Sequence, residues 1–312
     1  MGALMDISKP YSFAAFVITK DRPEILISTI GKLLEQTLVP DYILIVDNSE
    51  SAETKSKIQL LADDRIGYHS VGYNSGPAGG AYWGLKILFE CGFDWVLWVD
   101  DDDPPKFNNL FEDLFQIINA NDSHSLGMVG AVGERFNRNR SKIVRLKDDQ
   151  LKGYLDVDTI SGNMFPLVSN RVFEKGILPT AELFFGFEDL GFCLATKRAG
   201  FHILTSGDVH LNHRKETGRL NLKKKAFNRR SHEALWREYY SCRSLIFIVL
   251  HQEKKLVGSC FFVIRNIVKS MYVFKFGFRY GIKTFIMIWK GLLDGILGRL
   301  GMRVLPINKT IV

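Results

Sequence analysis

Cysteine is scarce in this chain, and its four copies, Cys91, Cys193, Cys242 and Cys260, form no CxxC pair. That scatter argues against a zinc site or a disulfide framework and suits a reducing compartment. Long apolar runs are also missing. No uninterrupted stretch reaches the roughly 18 residues of a membrane-spanning helix, and the opening MGALMDISKPYSF lacks the basic-then-apolar order of a secretory signal. Two phosphate-binding fingerprints are absent as well. The first strand-like run ends in TKDRPE where a dinucleotide fold would place GxGxxG. Gly79 and Gly84 have P-loop spacing but are followed by Leu85 and Lys86.

What is present is ordinary in amount and unusual in distribution. Hydrophobic residues make up 46% and charged residues 24% of 312 residues, enough to build a sizeable core. The net charge of +7 conceals a division. Beyond residue 213 lie 21 of the 41 Lys and Arg but only five of the 34 Asp and Glu, a balance of +16. The part before it therefore holds 20 bases and 29 acids, a balance of −9. The stretch RKETGRLNLKKKAFNRRSHE near 214–232 is polar, basic and without apolar periodicity, which marks a linker between two pieces. The expected organisation is a catalytic piece over 1–213, a basic loop over 214–232 and a helical region over 233–312.

The first piece reads as α/β. SFAAFVIT (12–19), YILIV (42–46), residues 65–71 and WVLWV (95–99) are strand-like, short and apolar. ILISTIGKLLEQT carries a helical face at Ile27, Ile30, Leu33 and Leu34, and Pro23 suits its first turn. A second helix leads from NSGPAGGAYWG up to Cys91. This β-α-β-β-α-β alternation predicts a largely parallel, covered sheet, in which ligands bind beyond the strand carboxyl ends. Asp47 and the run Asp100–Asp103 fall at such ends. Four adjacent carboxylates repel one another, and Pro104 and Pro105 stop the strand behind them. A solvated acidic turn is one reading; a cation site is the other. The glycines of NSGPAGG fit either a tight turn or close backbone approach to a ligand.

Taken in order, FVITKDRPEIL, LLEQTLVPDYILIVDNSES, YNSGPAGGAYWGL, WVLWVDDDD and LFFGFEDLGFCLATKRAGF resemble the inverting glycosyltransferases of family 2 over residues 12–213. The NxGxAGG element and the YYxxR of Tyr239–Arg243 are most similar to the bacterial rhamnosyl- and galactofuranosyltransferase branch. The resemblance implies a GT-A fold, a Rossmann-like mixed sheet flanked by helices, here followed by a basic amphipathic helical region. It implies that Asp100 and Asp102 are DxD carboxylates holding Mn2+ or Mg2+ on the diphosphate of a UDP- or dTDP-sugar, with Asp101 between them. Asp103 is then a solvated neighbour. Asp47 matches the acceptor for the nucleotide base, and Thr19 and Arg22 match the loop lining the nucleotide pocket. Asn74, Gly76 and Gly79 match the glycine-rich loop of the donor site, where Pro77 replaces a commoner glycine. Asp189 of the Glu188–Asp189 pair matches the catalytic base, although acids also favour a helix's first turn for its dipole alone. Gly191 and Ala195 depart from the family's Asp and Arg. The late histidine, a metal ligand in the family, aligns with His213 at the end of a strand spanning VHLNH, with His210 as the alternative. Arg214–Arg230 is then a flap over the diphosphate or a solvated loop.

Laid out as a helix, Lys254, Arg265, Lys269, Lys275, Arg279, Lys283 and Lys290 share one arc. Phe261, Phe262, Ile264, Ile267, Phe274, Phe278, Phe285, Ile286 and Leu293 mostly fill the rest. Glycines at 258, 277, 281 and 291 divide the region into two or three segments. Basic helices with aromatic apolar faces suit an anionic membrane surface; packing on the catalytic piece or on another subunit is the alternative. The expected partners are a nucleotide-sugar, a lipid-linked glycan acceptor and the inner face of the cell membrane, with a homo-oligomer open. A nucleic-acid partner fits less well, because the basic residues share helices with a strongly apolar side. Intact Asp100, Asp102 and Asp189 argue against a catalytically dead scaffold.

Overall fold

The computed structural model describes residues 11–121, 124–222 and 229–306. The first ten residues and 223–228, which include part of the predicted basic loop, lie outside it. The chain begins with β1 (Phe13–Thr19), α1 (Pro23–Leu34), β2 (Tyr42–Asp47), α2 (Glu53–Gln59), β3 (Ile66–Ser70), α3 (Gly76–Glu90) and β4 (Trp95–Asp100). The expected strands and the two expected helices are in place. The short α2 is an addition that the alternation did not include.

Next come α4 (Leu110–Asn119), β5 (Leu126–Val129), β6 (Gly133–Asn137), β7 (Lys142–Val144), β8 (Tyr154–Asp156), β9 (Thr159–Ile160) and β10 (Leu167–Ser169). Helix α5 (Asn170–Glu174), α6 (Glu188–Arg198), β11 (His202–Ser206) and α7 (Gly207–Glu216) complete the α/β part. Eight strands form one sheet in the order β3-β2-β1-β4-β10-β5-β11-β8, and β7-β6-β9 form a small second sheet. The first four are parallel, whereas β10 runs antiparallel to both β4 and β5. The sheet is therefore mixed.

Strands β1, β2 and β4 are buried on both faces, as their near-continuous apolar sequences require. One face packs on Leu26, Ile30 and Leu33 of α1 and Leu110, Phe111 and Leu114 of α4; the other packs on Leu85 and Leu88 of α3. Pro23 occupies the first turn of α1, where its missing N–H is harmless. Residues 207–216 are helical, so VHLNH is not a strand. Ser206 caps that helix by accepting from the Val209 N–H, and the helix runs three residues into the predicted basic loop.

The C-terminal region consists of α8 (Trp236–Phe247), a π-helical turn (Ile248–Gln252), α9 (Leu256–Tyr272) and α10 (Phe278–Ile296). It shares a core with the catalytic piece. Leu183, Leu190 and Leu194 pack with Leu245, Ile246, Ile248, Phe262, Ile288 and Leu292. The YYxxR motif is the centre of this junction. The guanidinium of Arg243, fully buried, donates to the carbonyls of Leu183 and Gly301 at 2.5 Å each and lies over the Tyr240 ring at 4.7 Å. Tyr239 donates to Asp294 at 2.7 Å. The π-helical turn also accounts for Gly191, where a Cβ would come within 3.2–3.4 Å of Gln252 and Ile248.

Helices α9 and α10 have inverted polarity. Helix α9 buries Gly258, Ser259, Asn266 and Ser270 with one large side chain, Phe262, while Val257 (70% exposed), Phe261, Ile264, Val268 and Met271 face outward. Helix α10 buries Gly281, Thr284, Gly291, Asp294 and Gly295 among its contacts and exposes Phe278 (73%), Ile282, Ile286, Trp289 and Leu293. The alternative of packing on the catalytic piece holds for Phe262, Ile288 and Leu292, while most of the remaining large apolar residues of these two helices face outward. The single basic arc is also divided: Arg265 donates to the carbonyls of Arg140 and Ser141, and Lys269 pairs with Glu238, whereas Lys254, Lys255, Arg279 and Lys283 are exposed without an ion pair among the described residues. The segment Leu256–Phe276, with mean hydropathy 1.4, is long and apolar enough to cross a membrane by length and composition.

Candidate active site

A cavity of about 390 Å3 opens at the carboxyl ends of β1, β2 and β4. Thr19 and Arg22 enter it from the β1–α1 loop, Asn48 from the end of β2, Asn74, Gly76 and Pro77 from the start of α3, and Asp100–Asp102 from β4. Gly162 and Asn163, together with Glu188 and Asp189 at the first turn of α6, form the opposite wall. Residues far apart in sequence meet here because parallel strands all present their carboxyl ends on one edge.

Asp101 is the interior member of the acidic run. Its carboxylate accepts from the Thr19 hydroxyl at 2.7 Å and from Arg22 at 2.5 Å, and its carbonyl accepts from Thr29. Arg22 also reaches the half-exposed Asp102 at 2.6 Å. Asp101 thereby fixes the loop that carries Thr19 and Arg22. Asp100 has no such cation. Burial, reinforced by the charges of Asp102, Asp101 and Asp189, pushes it up to about 7. Asp100, which has no cation partner among the described residues, and the half-exposed Asp102 present carboxylate oxygens to the cavity, the donor type that Mn2+ or Mg2+ takes. Among the described residues, no three His, Cys, Asp or Glu side chains converge into a ready-made metal group. His213 does not join them.

Instead His213, buried on α7, faces a second cavity of about 190 Å3 beside the first. Burial lowers its pKa, partly opposed by Asp103. Asp103 is not a merely solvated neighbour, since it accepts from the Asn163 amide at 3.0 Å and pairs with Lys106 at 2.8 Å. Asp47, fully buried, lies outside the cavity lining. Its oxygens accept from the Tyr68 hydroxyl and the Ser49 N–H, both at 2.8 Å, and its neighbour Asn48 lines the cavity. Gly76 has φ +69°, and a Cβ there would strike the Phe184 carbonyl, so this glycine is set by a turn and by close packing. Gly79 sits behind it, against the Ser75 side chain and away from the lining.

Glu188 is buried and Asp189 half-buried at the cavity wall, and removal from water raises both acids. Their environments differ. Asp189 accepts from the N–H groups of Gly162 (3.1 Å) and Leu190 (2.6 Å), which favours its ionised form. Glu188 leaves its Oε2 buried without a partner, which favours the proton there. Of the two, Asp189 is the better supplied with donors. Arg237, at the start of α8, completes the rim between the rings of Phe185 and Trp236, with centroid distances of 5.5 and 5.2 Å. The helical region therefore contributes to the site, contrary to its reading as a separate piece. No motif marks Arg237, and its neighbour Asn163 is signalled only by the SGN turn that the cavity reveals.

A mixed sheet with a carboxylate cluster at its parallel edge defines a GT-A nucleotide-sugar-binding fold. The sequence profile of glycosyl transferase family 2 matches residues 14–174, and the chain belongs to that family. A galactofuranosyltransferase GlfT1 of Mycobacterium tuberculosis is 35% identical over 94 residues, and that of Mycolicibacterium smegmatis is 27% identical over 117. These matches span 30% and 37% of either chain, so they relate less than half the length of those enzymes to this one. Among solved structures, the mannosyltransferase PcManGT from Pyrobaculum calidifontis, in complex with GDP-Man and Mn2+, superposes with a TM-score of 0.56 at 12% identity, covering 94% of this chain and 89% of that one. S. aureus TarS 1-349 in complex with UDP gives 0.53 at 14% identity, covering 92% of each. At such identities the likeness is one of fold.

Proposed function

We propose that the protein is an inverting glycosyltransferase that moves a sugar, galactofuranose or rhamnose, from a UDP- or dTDP-sugar to a lipid-linked or polysaccharide acceptor. The observation that carries this reading is the placement of Asp100, Asp102 and Asp189 on the walls of one cavity, with Asp189 accepting from two backbone N–H groups. Thr19, Asn48 and Asn74 line its nucleotide side, and Arg22 and Arg237 supply cationic charge at the diphosphate. Asp189 takes the proton of an acceptor hydroxyl as its oxygen attacks the anomeric carbon, and Glu188, carrying its own proton, keeps a second charge away from that step. A divalent cation at Asp100 and Asp102, when bound, neutralises charge on the departing diphosphate.

The acceptor reading draws on α9 and α10. Their outward apolar faces, with Lys254, Lys255, Arg279 and Lys283 nearby, suit acyl chains beneath anionic headgroups at the cytoplasmic face of the membrane. The polar inner faces, bonded to the protein, favour lying in the interface over crossing it. The test is a binding panel of UDP, dTDP and GDP with and without Mn2+, followed by transfer from the matching nucleotide-sugar. Metal-dependent binding of one diphosphate and EDTA-sensitive transfer are expected. Nucleotide binding indifferent to EDTA would sink the assignment of Asp100 and Asp102.

A further inference from the structure

The second cavity lies beside the one that holds Asp100, Asp102 and Asp189, and it is built largely from charged side chains. It is lined by Arg145, Arg214 and Arg219 on one part and by Glu134, His213 and the Ser161–Met164 turn on the rest. Asn163 lines both cavities, and Gly162 of the same turn donates to the base, Asp189. A group held here is therefore adjacent to the turn that positions the base.

The charges do not cancel. Arg145 and Arg214 share one carboxylate, Asp148, and Arg219 has no ion pair among the described residues. With Glu134 counted, three cations stand against two carboxylates among the described residues. Arg214 is only 2% exposed, and its Nε is buried with no acceptor. Leaving such a charged donor unsatisfied is costly, and guanidinium groups match phosphate and carboxylate oxygens in geometry. Beneath it His210, fully buried, is pushed down to about 3 by burial and then by Arg214 and Arg145, so it adds no charge but reports a positive surrounding. The volume, about 190 Å3, is below the roughly 300–1,000 Å3 of pockets that enclose whole ligands. It suits one charged group and part of a sugar. Glu134 would repel an anion placed against it but accepts hydrogen bonds from hydroxyls.

We propose that this cavity is an acceptor subsite for an anionic group, a phosphate or a carboxylate attached to a sugar, held by Arg145, Arg214 and Arg219 while the sugar hydroxyls turn toward Asn163 and Asp189. The proposal rests on the glycosyltransferase reading, and its test is designed to fail separately from it. The full-length protein is saturated with UDP and Mn2+ to fill the donor cavity. Galactose 1-phosphate, galacturonate and galactose are then titrated. UDP binding checks the transferase reading first; if it is absent, that reading fails before the subsite is probed. One anion should bind at least about tenfold more tightly than galactose, and which anion wins distinguishes phosphate from carboxylate. Arg219→Ala and Arg219→Glu should remove that preference, and Arg219→Lys should restore part of it. Arg219 is exposed, so these variants test the cavity without opening the core. Equal binding of all three sugars, no binding of either anion, an unchanged preference in Arg219→Glu, or loss of UDP affinity in step with it would each overturn the proposal.

Discussion

The helices that flank the sheet and the helices that follow it solve burial in opposite ways. Helix α4 hides Leu110, Phe111, Leu114, Phe115, Ile117 and Ile118 and turns its acids outward, so its stability is complete within the chain. Helices α9 and α10 bury a few large residues, Phe262, Tyr280, Ile288 and Leu292, among glycines, Ser270, Asn266, Thr284 and Asp294, and turn outward many of the residues that α4 would have buried. Small inward residues let backbones approach closely, as at Gly291 and Gly295, where a Cβ would strike α8. Contact is thus made by close backbones, hydrogen bonds and a small apolar core, leaving Val257, Ile264, Val268, Phe278, Ile286 and Leu293 exposed. The contrast separates two properties: a region can share the core of the fold and still carry exposed hydrophobic residues on its other side.

The comparison can be broken most completely by removing the C-terminal helices. Truncation after residue 232 exposes Leu183, Leu190 and Leu194 and deletes Arg243 and Arg237. We expect an aggregating fragment that no longer binds UDP; a soluble fragment with intact UDP affinity, measured by calorimetry, would show the region to be a mere appendage. Within the α/β part, Asp189→Asn keeps the shape but not the proton acceptor, so kcat should fall by about 10²-fold or more with donor affinity nearly retained. Equal losses in Glu188→Gln would show the pair to be structural.

A gentler change separates the two faces of the tail. Ile264→Gln, Val268→Gln and Ile286→Gln combined touch only outward positions. Flotation with anionic vesicles should drop by about tenfold or more, given roughly 0.8 kcal/mol per buried CH2 in acyl chains, while UDP binding and melting temperature stay unchanged. If melting falls instead, that face is covered by protein. The smallest expected effect lies at Asp100. Its pKa is raised on folding from 3.8 to about 7, so the native chain takes up a proton that the unfolded chain does not. Its contribution to stability is fully present below about pH 4 and lost as the pH rises through about 7. Without metal, Asp100→Asn should therefore melt a few degrees above the unaltered protein at pH 8 and level with it near pH 4, while losing activity. A lower melting temperature at pH 8 would show that the carboxylate is already compensated.

Much of this was legible in the sequence. The strands β1 to β4 and helices α1 and α3 are continuous segments marked by their apolar spacing, whereas the Asp100–Asp103 run leaves two readings and the Glu188–Asp189 pair is marked by the family resemblance. Helix α2 was not, because ETKSKIQ buries only Thr54 and Ile58 and so shows no apolar face. Strands β8, β9 and β10 are two or three residues long, too short for a period to register. At the end of β2 the charge of Asp47 draws notice, but the turn beyond the strand sends Asn48 into the cavity and Asp47 to Tyr68. In the tail, helical periodicity revealed that two faces differ without revealing which one points inward. That is decided by partners distant in sequence, such as Glu238 for Lys269.

The brace at Arg243 also sets an order in time. It holds the Leu183 carbonyl, 60 residues earlier, just ahead of the turn that leads into Asp189, and is itself held by Gly301, 58 residues later. On the ribosome the sheet emerges first and folds as a unit, while these last contacts close loops of high sequence separation and form late. A nascent chain carrying Asp100 and Asp102 already in place must wait for residues near 301 before the loop ahead of the base is fixed. The loop ahead of Asp189 and the outward apolar face of α10 are therefore completed by the same late-arriving stretch of chain.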